Sequence, residues 1–152
     1  MRTIVATLYL AITVAGCSST RPELGIVDGK LRPCPPSPNC VSSTAGDDKH
    51  VSQAFYYAGP SVGAWQALTS IIRDMERAEV ISQTGTYLHV EFTSAIFGFV
   101  DDAEFLLDPK ASKIEVRSAS RLGHSDFGVN RNRLQKIKKL FAEQCAIAVR
   151  EF

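Results

Sequence analysis

Between Glu79 and Ser120 the chain alternates apolar and polar residues in four short runs separated by turn signals. Few folds accept that pattern. Tyr87 to Thr93 carries it most clearly, with Leu88, Val90 and Phe92 on one side and Tyr87, His89 and Glu91 on the other, the period of two that a strand imposes. Glu79 to Gln83 precedes it across Thr84-Gly85. Phe99 to Leu107 and Lys113 to Ser120 follow, joined by Pro109-Lys110-Ala111-Ser112. Parallel neighbours need long crossover connections, so links this short imply an antiparallel meander.

Elements on either side complete the layer. Val51 to Ala58 is β-branched and aromatic and is expected as a further strand. Pro60-Ser61 opens a helix with Ser61 as its N-cap, and Trp65, Leu68, Ile72 and Met75 make its buried stripe. A last helix is expected from about Asn130 to Val149. Leu134, Ile137, Phe141, Cys145 and Ala148 form its apolar face, with Arg131, Lys136, Lys138 and Lys139 off its centre. The order strand, helix, four strands, helix predicts a single α+β domain: an antiparallel sheet with two helices packed on one face. A chain of 152 residues holds one such core, and its 45% hydrophobic content is too rich for a disordered chain. A net charge of +1 gives no basic excess, so no nucleic-acid partner is expected.

The faces predict the register. Leu107 opposite Ile114 sets Glu104 opposite Arg117, Asp102 opposite Ala119 and Asp101 opposite Ser120. Phe92 opposite Phe99 then sets His89 opposite Asp102 and Tyr87 opposite Glu104. Two polar groups result. On the open face lies a row of Tyr87, His89, Asp102, Glu104 and Arg117. On the helix face, Asp101, Ser118 and Ser120 stand where apolar residues belong, and a carboxylate there needs partners. Arg121, Asp126, Asn130, Arg131 and Arg133, all in or just after the last loop, complete that cluster. Glu104 with Arg117 reads as a solvated cross-strand ion pair. His89 with Asp102 offers an acid/base dyad. His124, Ser125 and Asp126 resemble a triad in composition only, because sequence neighbours do not point at one another as a triad requires. No Gly-rich phosphate loop and no paired CxxC or HxxxH is present, so neither a cofactor nor a metal is expected.

The N-terminus reads as an address. Arg2 is followed by the apolar run Ile4 to Val14 and then small residues, which is the form of a secretory signal peptide (residues 1–16). Val14-Ala15-Gly16-Cys17 resembles the lipobox of bacterial lipoproteins. That resemblance implies cleavage before Cys17, a diacylglycerol on its thiol and acylation, palmitate included, on its amine. Several acyl chains anchor stably where one is marginal. Cleavage removes only Arg2 among charged side chains, leaving the basic count equal to the 16 acidic residues. Ser18, where enterobacterial lipoproteins retained in the inner membrane carry Asp, points to an outer-membrane location facing the periplasm. Residues 17–30 are polar and aperiodic and are expected to be a flexible tether, with the domain spanning 31–152.

Residues 31 to 43 (LRPCPPSPNCVSS) hold four prolines and are expected as a fixed loop. In an oxidising envelope Cys34 and Cys40 can close that loop by a disulfide. The alternative joins one of them to Cys145 on the last helix.

Three segments resemble, in order, the signatures of the family called domain of unknown function 1499: Cys34-Pro-Pro-Ser-Pro-Asn39-Cys40-Val-Ser-Ser43; Phe99-Val-Asp101-Asp102-Ala-Glu104-Phe105; and Arg117-Ser-Ala-Ser-Arg121-Leu-Gly123 with Ser125-Asp126-Phe-Gly128-Val-Asn130-Arg131-Asn-Arg133. The resemblance covers roughly residues 31 to 142 and implies no catalytic residue. It places the polar residues around the last loop within the family's motifs.

The expected function is therefore that of a lipid-anchored cell-envelope protein. Its domain would be a non-catalytic binding or scaffold module that recognises a polar or anionic envelope component through the planar forks of Arg121, Arg131 and Arg133. The alternative is an envelope hydrolase drawing an acid-base pair from Asp101, Asp102 or His89. A third reading is a purely structural lipoprotein whose polar motifs only hold its loops.

Overall fold

The computed structural model describes residues 20–150, with side chains to residue 146. The signal peptide and Cys17 lie outside the described residues, and so does the side chain of Ala148. Strands β1 (Ile26–Val27) and β2 (Lys30–Leu31) form a small hairpin, followed by β3 (Cys40–Ser42) and β4 (Phe55–Tyr56). Helix α1 (Ser61–Arg73) leads into β5 (Ala78–Gln83), β6 (Tyr87–Thr93), β7 (Val100–Asp108) and β8 (Lys113–Ser120), and α2 (Val129–Arg150) closes the fold. The main sheet runs β3-β8-β7-β6-β5, and β4 pairs with β8 beyond the end of β3. Every strand pair is antiparallel.

Both helices lie on one face, as the apolar stripes require. Trp65, Leu68 and Ile72 of α1 and Leu134, Ile137 and Phe141 of α2 are buried over Leu88, Val90, Phe105, Ile114 and Val116 of the sheet. Phe55 sits between Phe105 and Phe141, with ring centroids 6.1 and 5.9 Å away. Burial of each such ring stabilises the fold by roughly 1.5–3 kcal/mol.

The β7–β8 register is the expected one, Leu107 opposite Ile114 and Asp101 opposite Ser120. The β6–β7 register differs by two residues: Phe92 faces Asp101, His89 faces Glu104 and Tyr87 faces Leu106. A slip of two keeps every side chain on its face, so the apolar pattern cannot distinguish the two pairings. The turn decides. Ser94 N–H donates to the Phe99 carbonyl (2.8 Å), and Phe99 N–H donates to Ser94 Oγ (2.9 Å). Phe99 is thereby left in the loop, stacked on Phe97 with centroids 5.6 Å apart, and not paired with Phe92.

Local differences have similar causes. Of Val51 to Ala58 only Phe55–Tyr56 is a strand, because β3 already occupies the neighbouring stretch of β8. Residues 40–42 form an edge strand. The prolines at positions 33, 35, 36 and 38 precede the paired residues, so no ladder donor is missing. The N-cap of α1 is Pro60, one residue before the expected Ser61, and makes no side-chain cap.

The largest departure is at the supposed tether. Residues 20–31 pack against the sheet face opposite the helices. Arg21 Nε donates to Glu91 (2.6 Å), Gly25 N–H donates to Glu104 (2.8 Å), and Leu31 is buried. The hairpin pairs Ile26 with Leu31 and Val27 with Lys30 around Asp28-Gly29, both with positive φ (51° and 74°). Asp-Gly is the dipeptide that a two-residue hairpin loop of this twist favours.

Candidate functional site

Adjacent residues of a strand point to opposite faces, so Asp101 and Asp102 send one carboxylate into each layer. On the helix side, Asp101 is buried and Arg133 Nη2 donates to it at 2.5 Å. Arg133 Nη1 donates to Asn130 Oδ1 (2.6 Å), and the guanidinium carbon lies 4.6 Å from the Phe92 ring centroid. Asn130 fills all four of its hydrogen-bonding positions. Its oxygen accepts from Arg133 and Ser118 Oγ (2.5 Å), and its Nδ2 donates to Ser120 Oγ (2.9 Å) and the Asn39 carbonyl (3.1 Å). Asn39 in turn donates to the carbonyls of Gly123 (2.7 Å) and Ser120 (3.3 Å). The Pro-rich loop, the sheet end, the last loop and α2 are thus tied at one point.

Three arginines were expected here, and only Arg133 joins. Arg121 continues the pleat of Arg117 and Ala119, which places it on the other face. Its Nε and Nη2 grip Asp102 at 2.8 and 2.7 Å, and Nη2 also reaches Glu91. Arg131 donates to the carbonyls of Val51 (2.5 Å) and Lys49 (2.8 Å) and so holds a surface loop. Asp126 accepts from the backbone N–H of Gly128 (3.1 Å) and Asn130 (2.8 Å), serving the first turn of α2. His124 is exposed and Ser125 Oγ accepts from Phe127 N–H (3.3 Å), so these neighbours form no triad.

The opposite face is not open. The segment 20–31 covers it, and the expected solvated pair Glu104–Arg117 is buried. The Glu104 carboxylate accepts from Tyr87 OH (2.8 Å), Gly25 N–H (2.8 Å) and Arg117 Nη1 (3.1 Å). Burial and the Glu104 charge push the Tyr87 phenol far up, keeping it a donor. His89 Nε2 donates to Asp102 at 2.7 Å. Burial pushes the Asp102 carboxyl up, but Arg121 and His89 outweigh it and hold the group below its ordinary range. Glu91 is likewise raised by burial and more strongly lowered by Arg21 and Arg121. The sequence gives Glu91 no special signal beyond its parity with His89.

Ligand atoms of His89, Glu91 and Asp102 lie within 4.8 Å of one another, a spacing a cation could use, but the Arg121 guanidinium already bridges both carboxylates. Beside this network is a cavity of about 150 Å³ walled by Asp102, Arg117, Ser120 and Arg121 under Thr20, Pro22 and Pro35. Arg117 Nε is buried there without a partner among the described residues. A wider groove of about 830 Å³, lined by Lys30, Lys110, Lys113 and Glu115, holds none of the expected site residues. Cys34 and Cys40 form a disulfide, and Cys145 has no disulfide partner among the described residues. His50, which the sequence reading passed over, sits 2.8 Å from Asp47 and 3.1 Å from the Ser37 carbonyl, bracing the same loop.

Fold and site define a class: a single α+β domain whose central strand is locked into both neighbouring layers by buried carboxylate–guanidinium pairs. The chain belongs to the family described as protein of unknown function (DUF1499), whose sequence profile matches residues 30–141. No curated protein and no solved structure matches it.

Proposed function

We propose that this protein is a bacterial lipoprotein, anchored through Cys17 in the outer membrane and facing the periplasm, whose domain is a non-catalytic binding or scaffold module. The observation that carries the non-catalytic reading is the mutual pairing of the ionisable groups. Asp101 is bound by Arg133, Asp102 by His89 and Arg121, and Glu104 by Tyr87 and Arg117. A general acid at neutral pH needs a raised pKa, whereas Asp102 is held low. The hydrolase alternative rests on the His89–Asp102 contact, and both residues are buried. A polar or anionic group of an envelope component fits best at the small cavity, where the unpartnered Arg117 Nε and the Arg121 fork stand together.

Two measurements test this. Intact-mass analysis of membrane-extracted protein should find lipid on Cys17 and none on Cys17→Ser. Native mass spectrometry of the domain purified from envelope extract should find a small acidic ligand, retained by the wild type and lost by Arg121→Ala. Turnover of ester, amide or glycoside probes that vanishes in Asp102→Asn would replace the scaffold with the enzyme.

A further inference from the structure

The end of the sheet that the first described residues reach carries a group of exposed apolar side chains. The β6–β7 turn presents Ile96 at 85% exposure and Phe97 at 73%, with Phe99 stacked beside Phe97. The last loop presents Phe127 at 94%, with Leu122 also exposed. Both loops leave the same end of the sheet, because β6 finishes at Thr93, β7 begins at Val100 and β8 finishes at Ser120. Arg121 N–H donating to the Val100 carbonyl (3.1 Å) joins them directly. No charged residue lies from Thr93 to Val100. From Leu122 to Val129 the acidic residue is Asp126, whose oxygens are turned to backbone N–H groups. Isolated exposed apolar residues need no explanation, but five on two adjoining loops mark a contact surface.

The length of chain before Thr20 identifies what it contacts. Thr20 and Pro22 cap the cavity walled by Ser120 and Arg121, so the chain reaches the folded domain at this end. Cys17 lies three residues earlier. Fully extended, those residues span about 10 Å, comparable to the headgroup layer of one leaflet, about 5–8 Å. We infer that the acylated protein does not hang from a tether. Its end bearing Ile96, Phe97, Phe99, Leu122 and Phe127 rests in the bilayer interface, with the aromatic rings among the headgroups and upper acyl chains. The inference rests on the lipid anchor at Cys17 proposed above and extends it from an attachment to a fixed orientation.

The fold supplies its own control. Trp65, the one tryptophan, is buried and donates to the Thr84 carbonyl (3.2 Å) in the β5–β6 turn, at the far end of the sheet. The acylated full-length protein, with Phe97→Trp or Phe127→Trp, is reconstituted in phosphatidylethanolamine–phosphatidylglycerol vesicles carrying brominated acyl chains. Both added tryptophans should shift to the blue and be quenched, while Trp65 in the wild type is not. Without the lipid and without the apolar run Ile4 to Val14, a chain begun at Ser18 should still bind these vesicles weakly, and Ile96→Ser with Phe97→Ser and Phe127→Ser should reduce that binding by about tenfold or more. Those exposed substitutions leave the fold intact, which circular dichroism checks. Protein that floats with the vesicles while both added tryptophans stay accessible to aqueous acrylamide overturns the orientation and leaves the anchor standing. The surface then belongs to a protein partner or a second copy. Absence of lipid on Cys17 removes the anchor and the inference together, and the mass measurement distinguishes that result from the first.

Discussion

Replacing Glu104 by Gln tests the buried pair most directly. The carboxylate is fully buried and accepts three hydrogen bonds, from Tyr87, Gly25 and Arg117. A glutamine fits the same space, and its oxygen can still accept from Tyr87 and Gly25. Its amide nitrogen then faces Arg117 Nη1, donor against donor, and the guanidinium loses its only acidic partner among the described residues. Breaking a buried pair from one side costs about 3–5 kcal/mol, because the remaining charge is stranded in low dielectric. Against a total stability of about 5–15 kcal/mol, that is a large fraction. For a domain of this size it lowers Tm by roughly 10–20 °C. Urea unfolding followed by Trp65 fluorescence measures the loss, since that side chain is buried in the core. Glu104→Gln combined with Arg117→Met should recover more than half of it, because an apolar replacement strands no charge. A loss below about 1 kcal/mol, the value of an exposed pair, would refute the reasoning and mean that residues 20–31 do not cover this face.

Three further outcomes follow from the same geometry. Asn130→Ala removes a group with four hydrogen bonds and leaves Ser118 Oγ and Arg133 short of a partner, so stability should fall by about 2–4 kcal/mol in urea titration. Folding lowers the pKa of Asp102 and Glu91, so the unfolded chain binds their protons more readily. Their contribution should be complete above the ordinary carboxylate range near pH 4 and be lost as pH falls below it. A Tm series from pH 6 to pH 2 should show this decline, and Asp102→Asn should flatten it. Reducing Cys34–Cys40, which closes a loop of sequence separation 6, should cost about 2 kcal/mol on chain-entropy grounds. The domain should stay folded, because Asn39 and β3 remain bonded to β8 and the last loop, as near-ultraviolet circular dichroism in dithiothreitol would report.

The parts of the fold legible in the sequence are those with a strong period. Lys113 to Ser120 against Val100 to Asp108 was readable because a short turn and alternating faces admit one register. The inward turn of Asp101 followed from the same alternation. What the pattern could not show was translation by two residues, which moved Phe99 out of the sheet and set His89 diagonal to Asp102 while keeping all faces. Arg121 lies in the Arg117 layer and not among the helices, because the pleat of β8 continues past Ser120, a parity present in the sequence although the position reads as loop. Residues 17–30 read as a tether because the two-residue strands within 20–31 have no period to detect, yet Asp28-Gly29 carries the hairpin signal. Once that segment is placed on the sheet, an expected solvated row becomes a buried network, and Glu91 becomes part of it.

The consequence of Asp101-Asp102 reaches beyond their two ion pairs. One dipeptide at the start of the central strand binds α2 through Arg133 on one side, and the last loop through Arg121 on the other. Arg121 shares Glu91 with Arg21, which belongs to the first described residues of the chain. A force applied at Arg21 is therefore carried through Glu91 and Arg121 into the strand end, and from there into α2. The Arg121–Asp102 contact is bidentate and so fixes orientation as well as distance. An anchor placed three residues before Thr20 would hold the domain in one attitude and not simply near a surface. Under the proposed anchor, the polar motifs would gain a mechanical role at the end of the sheet where the chain enters, and the Arg121 fork would be shared between the small cavity and two carboxylates of its own protein.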